Sequence, residues 1–136
     1  MSKAIQQSVR FAASPEELFE MYVDSKKHST ATGGRAKING RVGATFTAWN
    51  GQLRGKNLLI VPNHFVMQAW RSTHWPASDP DSLLLLAFKE APGGGQIDLL
   101  HVNVPEHDRR GVTKGWKQYY WQPWKRYIAA QKKKKR

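Results

Sequence analysis

The chain has 136 residues, a formal charge of +12 and no cysteine, which excludes disulfides, thiolate metal sites and a cysteine nucleophile. That length suits one domain with one hydrophobic core, and no apolar run approaches the ~20 residues that a membrane-spanning helix needs. Lys132 to Arg136 supply five of the 22 lysines and arginines, so the body carries a net +7, its basic residues spread along the chain without the pattern of an RRM, KH or zinc-finger module. Specific nucleic-acid recognition is therefore not expected. Residues 132–136 read as a basic disordered tail and residues 1–131 as a single domain. The opening MSKAIQQSVRF has no apolar signal core, and a cytoplasmic location is the simplest expectation.

Ile5, Gln7, Val9 and Phe11 alternate with Gln6, Ser8 and Arg10, the period of a half-buried strand. Ser14, Pro15 and Glu17 then supply an N-cap, a proline at the first helical position and a capping-box glutamate, opening a short helix through Tyr22. Asp24 caps a second short helix that Gly33 and Gly34 end. From residue 35 the spacing predicts antiparallel strands. A short strand at 36–39 precedes a hairpin of 43–49 with 52–59 across the two-residue turn Asn50-Gly51. A strand at 65–72, a loop at 73–81 and a strand at 82–89 follow, the last with four successive leucines that imply cover on both faces. After a turn at 91–95, the strand 96–104 places Ile97, Leu99 and His101 on one face.

The last stretch, 111–131, predicts a helix. At ~100° per residue Val112, Trp116, Tyr119, Tyr120, Pro123 and Tyr127 share one arc, with Lys114, Gln118, Gln122 and Lys125 opposite. Pro123 removes a backbone hydrogen bond, and a kink is expected there. So much ring surface needs a concave partner. The expected fold is α+β, with two short helices after the first strand and a curled antiparallel sheet of about six or seven strands wrapped around the long C-terminal helix.

Phe11, Ala13, Pro15, Leu18 and Phe19, then Thr32-Gly33, Gly43, Phe46, Gly55, Trp70-Arg71, Trp75, His101, Val104-Pro105, Gly115-Trp116, Tyr119 and Pro123, form an ordered set. Together they resemble the domain named after the activator of heat-shock protein 90 ATPase, within the START-like (SRPBCC) helix-grip superfamily. The resemblance runs from Phe11 to about Ile128. It implies a cavity between sheet and helix for an apolar molecule and no settled activity for single-domain members. Nothing resembles the additional N-terminal domain of the eukaryotic co-chaperones, so that role is only weakly implied.

The cavity expectation falls on Phe46, Trp70, Trp75, Leu84, Leu86, Leu99, His101, Trp116 and Tyr120, which serve equally as core filler or as ligand-binding wall. His101 would either orient a ligand or sit buried against a hydroxyl or carbonyl. HxxxH, HExxH, GxSxG, GxGxxG and P-loop patterns are absent and the acids are dispersed, so no metal, cofactor or catalytic residue is expected and an enzyme is not the favoured reading. A non-enzymatic domain binding a small apolar or amphipathic molecule leads. Its rival is a protein-interaction, stress-related or co-chaperone-like module whose basic surface meets an acidic protein partner, in either case as a monomer or weak dimer.

Overall fold

The computed structural model describes residues 3–134. Strand β1 (Ile5–Phe11) leads into helices α1 (Pro15–Val23) and α2 (Ser25–Thr32), then strands β2 (Thr45–Ala48), β3 (Leu53–Val61), β4 (Phe65–Ser72), β5 (Ser82–Ala91) and β6 (Gly94–Val102). The chain ends in helix α3 (Glu106–Trp116), a π-helical turn (Lys117–Trp121) and helix α4 (Gln122–Lys134). The six strands form one antiparallel sheet in the order β1-β6-β5-β4-β3-β2, a meander closed by β1 pairing back onto β6. The architecture is the expected α+β arrangement with two short helices after β1 and a long C-terminal helix.

Alternation decides the inner face. Leu84, Leu86 and Phe88 of β5, Ile97, Leu99 and His101 of β6, and Val66, Gln68 and Trp70 of β4 are all buried, while Leu83, Leu85 and Leu100 are half-buried on the outer face. Curvature needs backbone contact at Gly55, where an added Cβ would stand 1.8 Å from the carbonyl oxygen of Ala69. The capping box forms as expected: the Glu17 N–H donates to Ser14 Oγ at 3.1 Å, and Glu17 Oε1 accepts from the Ser14 N–H at 3.4 Å.

Several local expectations are corrected. The stretch 36–39 is a single bridge, Lys37 to Thr47, rather than a strand. The β2–β3 connection spans Trp49 to Gln52, because the register pairs Ala48 with Leu53. Trp49, Asn50 and Gly51 all have positive φ (50°, 59° and 86°), and Asn50 exchanges two hydrogen bonds of 2.9 Å with the Arg35 backbone, which pulls it out of a two-residue turn. The glycine-rich turn is shorter than expected, with only Pro92 and Gly93 between paired Ala91 and Gly94.

The long helix departs most. It begins at Glu106 and runs through Lys134, so Lys132, Lys133 and Lys134 are helical rather than a disordered tail, while Lys135 and Arg136 lie outside the described residues. Pro123 has no N–H for the Tyr119 carbonyl, and the preceding Gln122 N–H reaches back five residues to the Lys117 oxygen. The π turn shifts the inward face. Val112, Trp116, Tyr120, Trp124 and Ile128, four residues apart, are buried, which an ideal helix would not allow since ~40° of drift per step accumulates. One extra residue in the π turn removes roughly 100° of that drift. Tyr119 is consequently 46 % exposed and Tyr127 half-buried, whereas Trp121 and Trp124 enter the core.

Candidate functional site

A cleft of about 450 Å³ opens between α3, its π turn, β4 and the β2–β3 connection. Trp70 on β4, Trp116 on α3 and Tyr120 on the π turn form its inner wall; Trp49 and Tyr119 form its outer wall. Gly111 and Gly115 lie on the helical side, where side chains would occupy the space. The rings support one another: Trp116 and Tyr120 have centroids 4.7 Å apart, Trp70 and Trp116 6.2 Å, and Trp49 and Tyr119 meet edge-on at 5.1 Å. Trp49 is seated on Gly34, where a Cβ would come within 2.5 Å of its ring. Its indole nitrogen is buried with no hydrogen-bond partner among the described residues.

Of the nine expected wall residues, Trp70, Trp116 and Tyr120 line this cleft. Phe46, Leu84, Leu86 and Leu99 are buried in the core without reaching it, because the aromatic face of the helix fills the space above the middle of the sheet. Trp75 and His101 stand behind the wall, in edge-on contact with Trp70 at 5.7 and 4.7 Å. Trp49, Leu53, Asp108 and Tyr119 were not anticipated. The signal for Trp49 was its neighbour Asn50-Gly51, since a loop residue with positive φ projects its ring away from the strand pattern.

Two buried histidines hold the wall in place. Trp116 Nε1–H can only donate, and it does so to His101 Nδ1 at 3.2 Å. His101 therefore carries its proton on Nε2, which donates to Ser82 Oγ at 2.8 Å, and that hydroxyl donates to the Trp70 carbonyl at 2.6 Å. Both imidazole nitrogens are committed, and burial pushes His101 down to about 3. The imidazole thus acts as a brace for Trp70 and Trp116 and offers no free nitrogen to the cleft.

His28, at the middle of α2, does the same for Tyr120. Its Nδ1 faces the Tyr22 carbonyl at 2.7 Å and must donate, which leaves Nε2 to accept from the Tyr120 hydroxyl at 2.9 Å. Burial lowers His28 to about 4 and raises Tyr120 far above the usual phenol range. The network continues through the core. Tyr22 Oη donates to Gln68 Oε1 at 2.7 Å, Gln68 Nε2 to Asn57 Oδ1 at 2.8 Å, and Asn57 Nδ2 to the carbonyls of Asn39 and Arg41. At the edge of the sheet, Gln7 clamps the helix by donating to the Thr113 carbonyl and accepting from Trp121 Nε1.

No group of three or more potential metal ligands occurs among the described residues, and no helix there is long and apolar enough to cross a membrane. A family model described as "Activator of Hsp90 ATPase homolog 1-like protein" matches residues 12–129. Activator of 90 kDa heat shock protein ATPase homolog 1 from Homo sapiens is 23 % identical over 112 residues, 82 % of this chain and 33 % of the relative. The chain thus spans about a third of the length of the curated relatives it matches. Among solved structures, an HSP90 activator from Plasmodium falciparum superposes with a TM-score of 0.78 at 20 % identity, covering 89 % of this chain and 92 % of the other. An Aha1 dimer from Colwellia psychrerythraea gives a TM-score of 0.77 at 17 % identity, covering 93 % and 96 %.

Proposed function

We propose, from the premise that the chain belongs to the family of Activator of Hsp90 ATPase homolog 1-like proteins, that it is a non-enzymatic domain which binds a small apolar or amphipathic molecule in its aromatic cleft. The observation that carries this reading is the cleft itself. Its 450 Å³ falls within the roughly 300–1,000 Å³ of small-molecule sites, and five rings supply its walls. Burial of a ligand's apolar surface at ~25 cal/mol per Å² provides the affinity.

Titration with N-phenyl-1-naphthylamine tests this. Its emission is expected to rise saturably with the wild-type chain and to stay flat with Gly115→Leu. A Cβ at Gly115 meets only the Tyr119 ring, at 3.6 Å and beyond, an ordinary contact, and Gly115 lines the cleft, so the leucine is expected to extend into it. It also gains up to ~1 kcal/mol of helix propensity, which separates loss of binding from loss of folding. Equal emission from both chains would remove the cleft as the site.

A second reading is favoured by the outer face of the sheet. Met67, Leu83, Leu85 and Leu100 are half-buried there, and β3 exposes Leu58, Leu59 and Val61 beside the cations Arg54 and Lys56. An apolar strip flanked by positive charge fits an acidic partner protein, and the relatives are named as activators of an HSP90 ATPase. On this reading the chain raises the ATPase rate of HSP90, and Arg54→Glu with Lys56→Glu reduces the effect several-fold at low salt. A stimulation indifferent to both the reversal and the salt would exclude this face.

A further inference from the structure

The cleft combines its rings with one carboxylate that no cation among the described residues neutralises. Four of the chain's ten acidic residues, Asp79, Asp81, Glu106 and Asp108, lie at the end of the molecule where α3 begins. Three of them have basic partners: Asp79 meets His107 Nε2 at 2.7 Å, Asp81 meets an Arg71 guanidinium nitrogen at 3.0 Å, and Glu106 meets Arg109 Nε at 3.2 Å. Asp108 has none among the described residues. Its Oδ2 accepts from Trp75 Nε1 at 2.8 Å, which fixes the side chain but leaves its charge unbalanced. Its Oδ1 makes no hydrogen bond among the described residues and lies over Gly111, 2.7 Å from where a Cβ would stand. Both residues line the cleft, as do Trp70 and Trp116.

We infer that the cleft selects a flat aromatic ligand bearing a positively charged amine, its ring held between the aromatic walls and its ammonium placed at Asp108 Oδ1; this rests on the cleft being a ligand site. Ring faces attract a cation within ~6 Å, and a carboxylate with a spare oxygen completes the charge pairing. The lysines at the end of α4 work against a cation only weakly. Screening at physiological salt extends ~8 Å, and Lys134 lies at the far end of α4, roughly 39 Å from Asp108 at 1.5 Å of rise per residue.

Calorimetric titration of the full chain with three probes of one shape tests this: 1-naphthylmethylammonium, 1-naphthylmethanol and 1-naphthoate. The ammonium is expected to bind at least about tenfold tighter than the alcohol, with naphthoate weakest. Asp108→Asn keeps an oxygen for Trp75 Nε1, so it is expected to bring the ammonium down to the alcohol's affinity. Alcohol and ammonium binding equally to the wild type would overturn the preference while leaving the cleft a ligand site, as would a preference that survives Asp108→Asn. Binding by none of the three would overturn the ligand-site reading and this inference with it.

Discussion

Lowering the pH from 7.5 to 5 is expected to cost the fold about 4 kcal/mol, nearly all of it from His28 and His101. An unfolded histidine titrates near 6.5, whereas burial holds these two at about 4 and about 3 in the folded chain. Below pH 6.5 the unfolded state therefore binds more protons than the folded state, and stability falls as pH falls. The loss begins near pH 6.5, deepens by close to two protons' worth per unit around pH 5, and levels off only once the folded imidazoles take up protons near their own values. Geometry explains why the folded state resists. A proton on His101 Nδ1 would point at the Trp116 indole N–H, setting donor against donor at 3.2 Å, and one on His28 Nε2 would meet the Tyr120 hydroxyl that now donates to it. Urea denaturation at pH 7.5, 6 and 5 measures the effect. The exposed His64, His74 and His107 remain in every sample, so a stability that stays flat across the range would show that neither buried imidazole is held neutral.

The same two imidazoles brace Trp116 and Tyr120, so cleft and fold share one acid limit. Binding to the cleft should fade together with the denaturation midpoint, because the rings that form the wall are positioned by the groups that titrate.

What could be read from the sequence follows from what is local in it. Alternation in β5 and β6 placed Leu84, Leu86, Ile97, Leu99 and His101 correctly inward, because a period of two is a property of each strand alone. The capping box at Ser14 was legible for the same reason. The face of the long helix was not, since it depends on a π turn answering Pro123, and a fixed ~100° step moved Tyr119 inward and left Trp124 out. Nor was the position of the cleft. It depends on where Trp49 lands when Asn50 pairs with Arg35, fifteen residues upstream, a contact that no periodicity encodes. Nothing local in the sequence marks His28, whose Nε2 becomes a core acceptor only through the approach of Tyr120 from 92 residues away.

Replacing Trp124 by alanine is expected to cost about 3–5 kcal/mol or more, whereas Trp124→Phe should cost less than about 2 kcal/mol. Trp124 is fully buried, with its ring centroid 5.9 Å from Phe11, 6.1 Å from Trp121, 6.3 Å from Tyr120 and 6.5 Å from Tyr22. The alanine would leave a cavity at the point where helix, β1 and α1 converge. Its indole nitrogen, however, has no hydrogen-bond partner among the described residues, so phenylalanine discards a buried donor that contributes nothing. Trp116→Phe makes the contrast. Trp116 is buried to nearly the same degree, but its N–H is the only donor to His101 Nδ1 among the described residues, and removing it strands a buried acceptor at about 1–3 kcal/mol beyond the lost packing. Chemical denaturation of the three variants at neutral pH should therefore rank them Trp124→Ala most damaging, Trp116→Phe next and Trp124→Phe least. If Trp124→Phe instead matched Trp124→Ala, the indole N–H would have to be making a bond that the packing around it does not supply. A Trp116→Phe no worse than Trp124→Phe would mean that His101 is held by Ser82 alone, and the brace behind the cleft wall would then be one-sided.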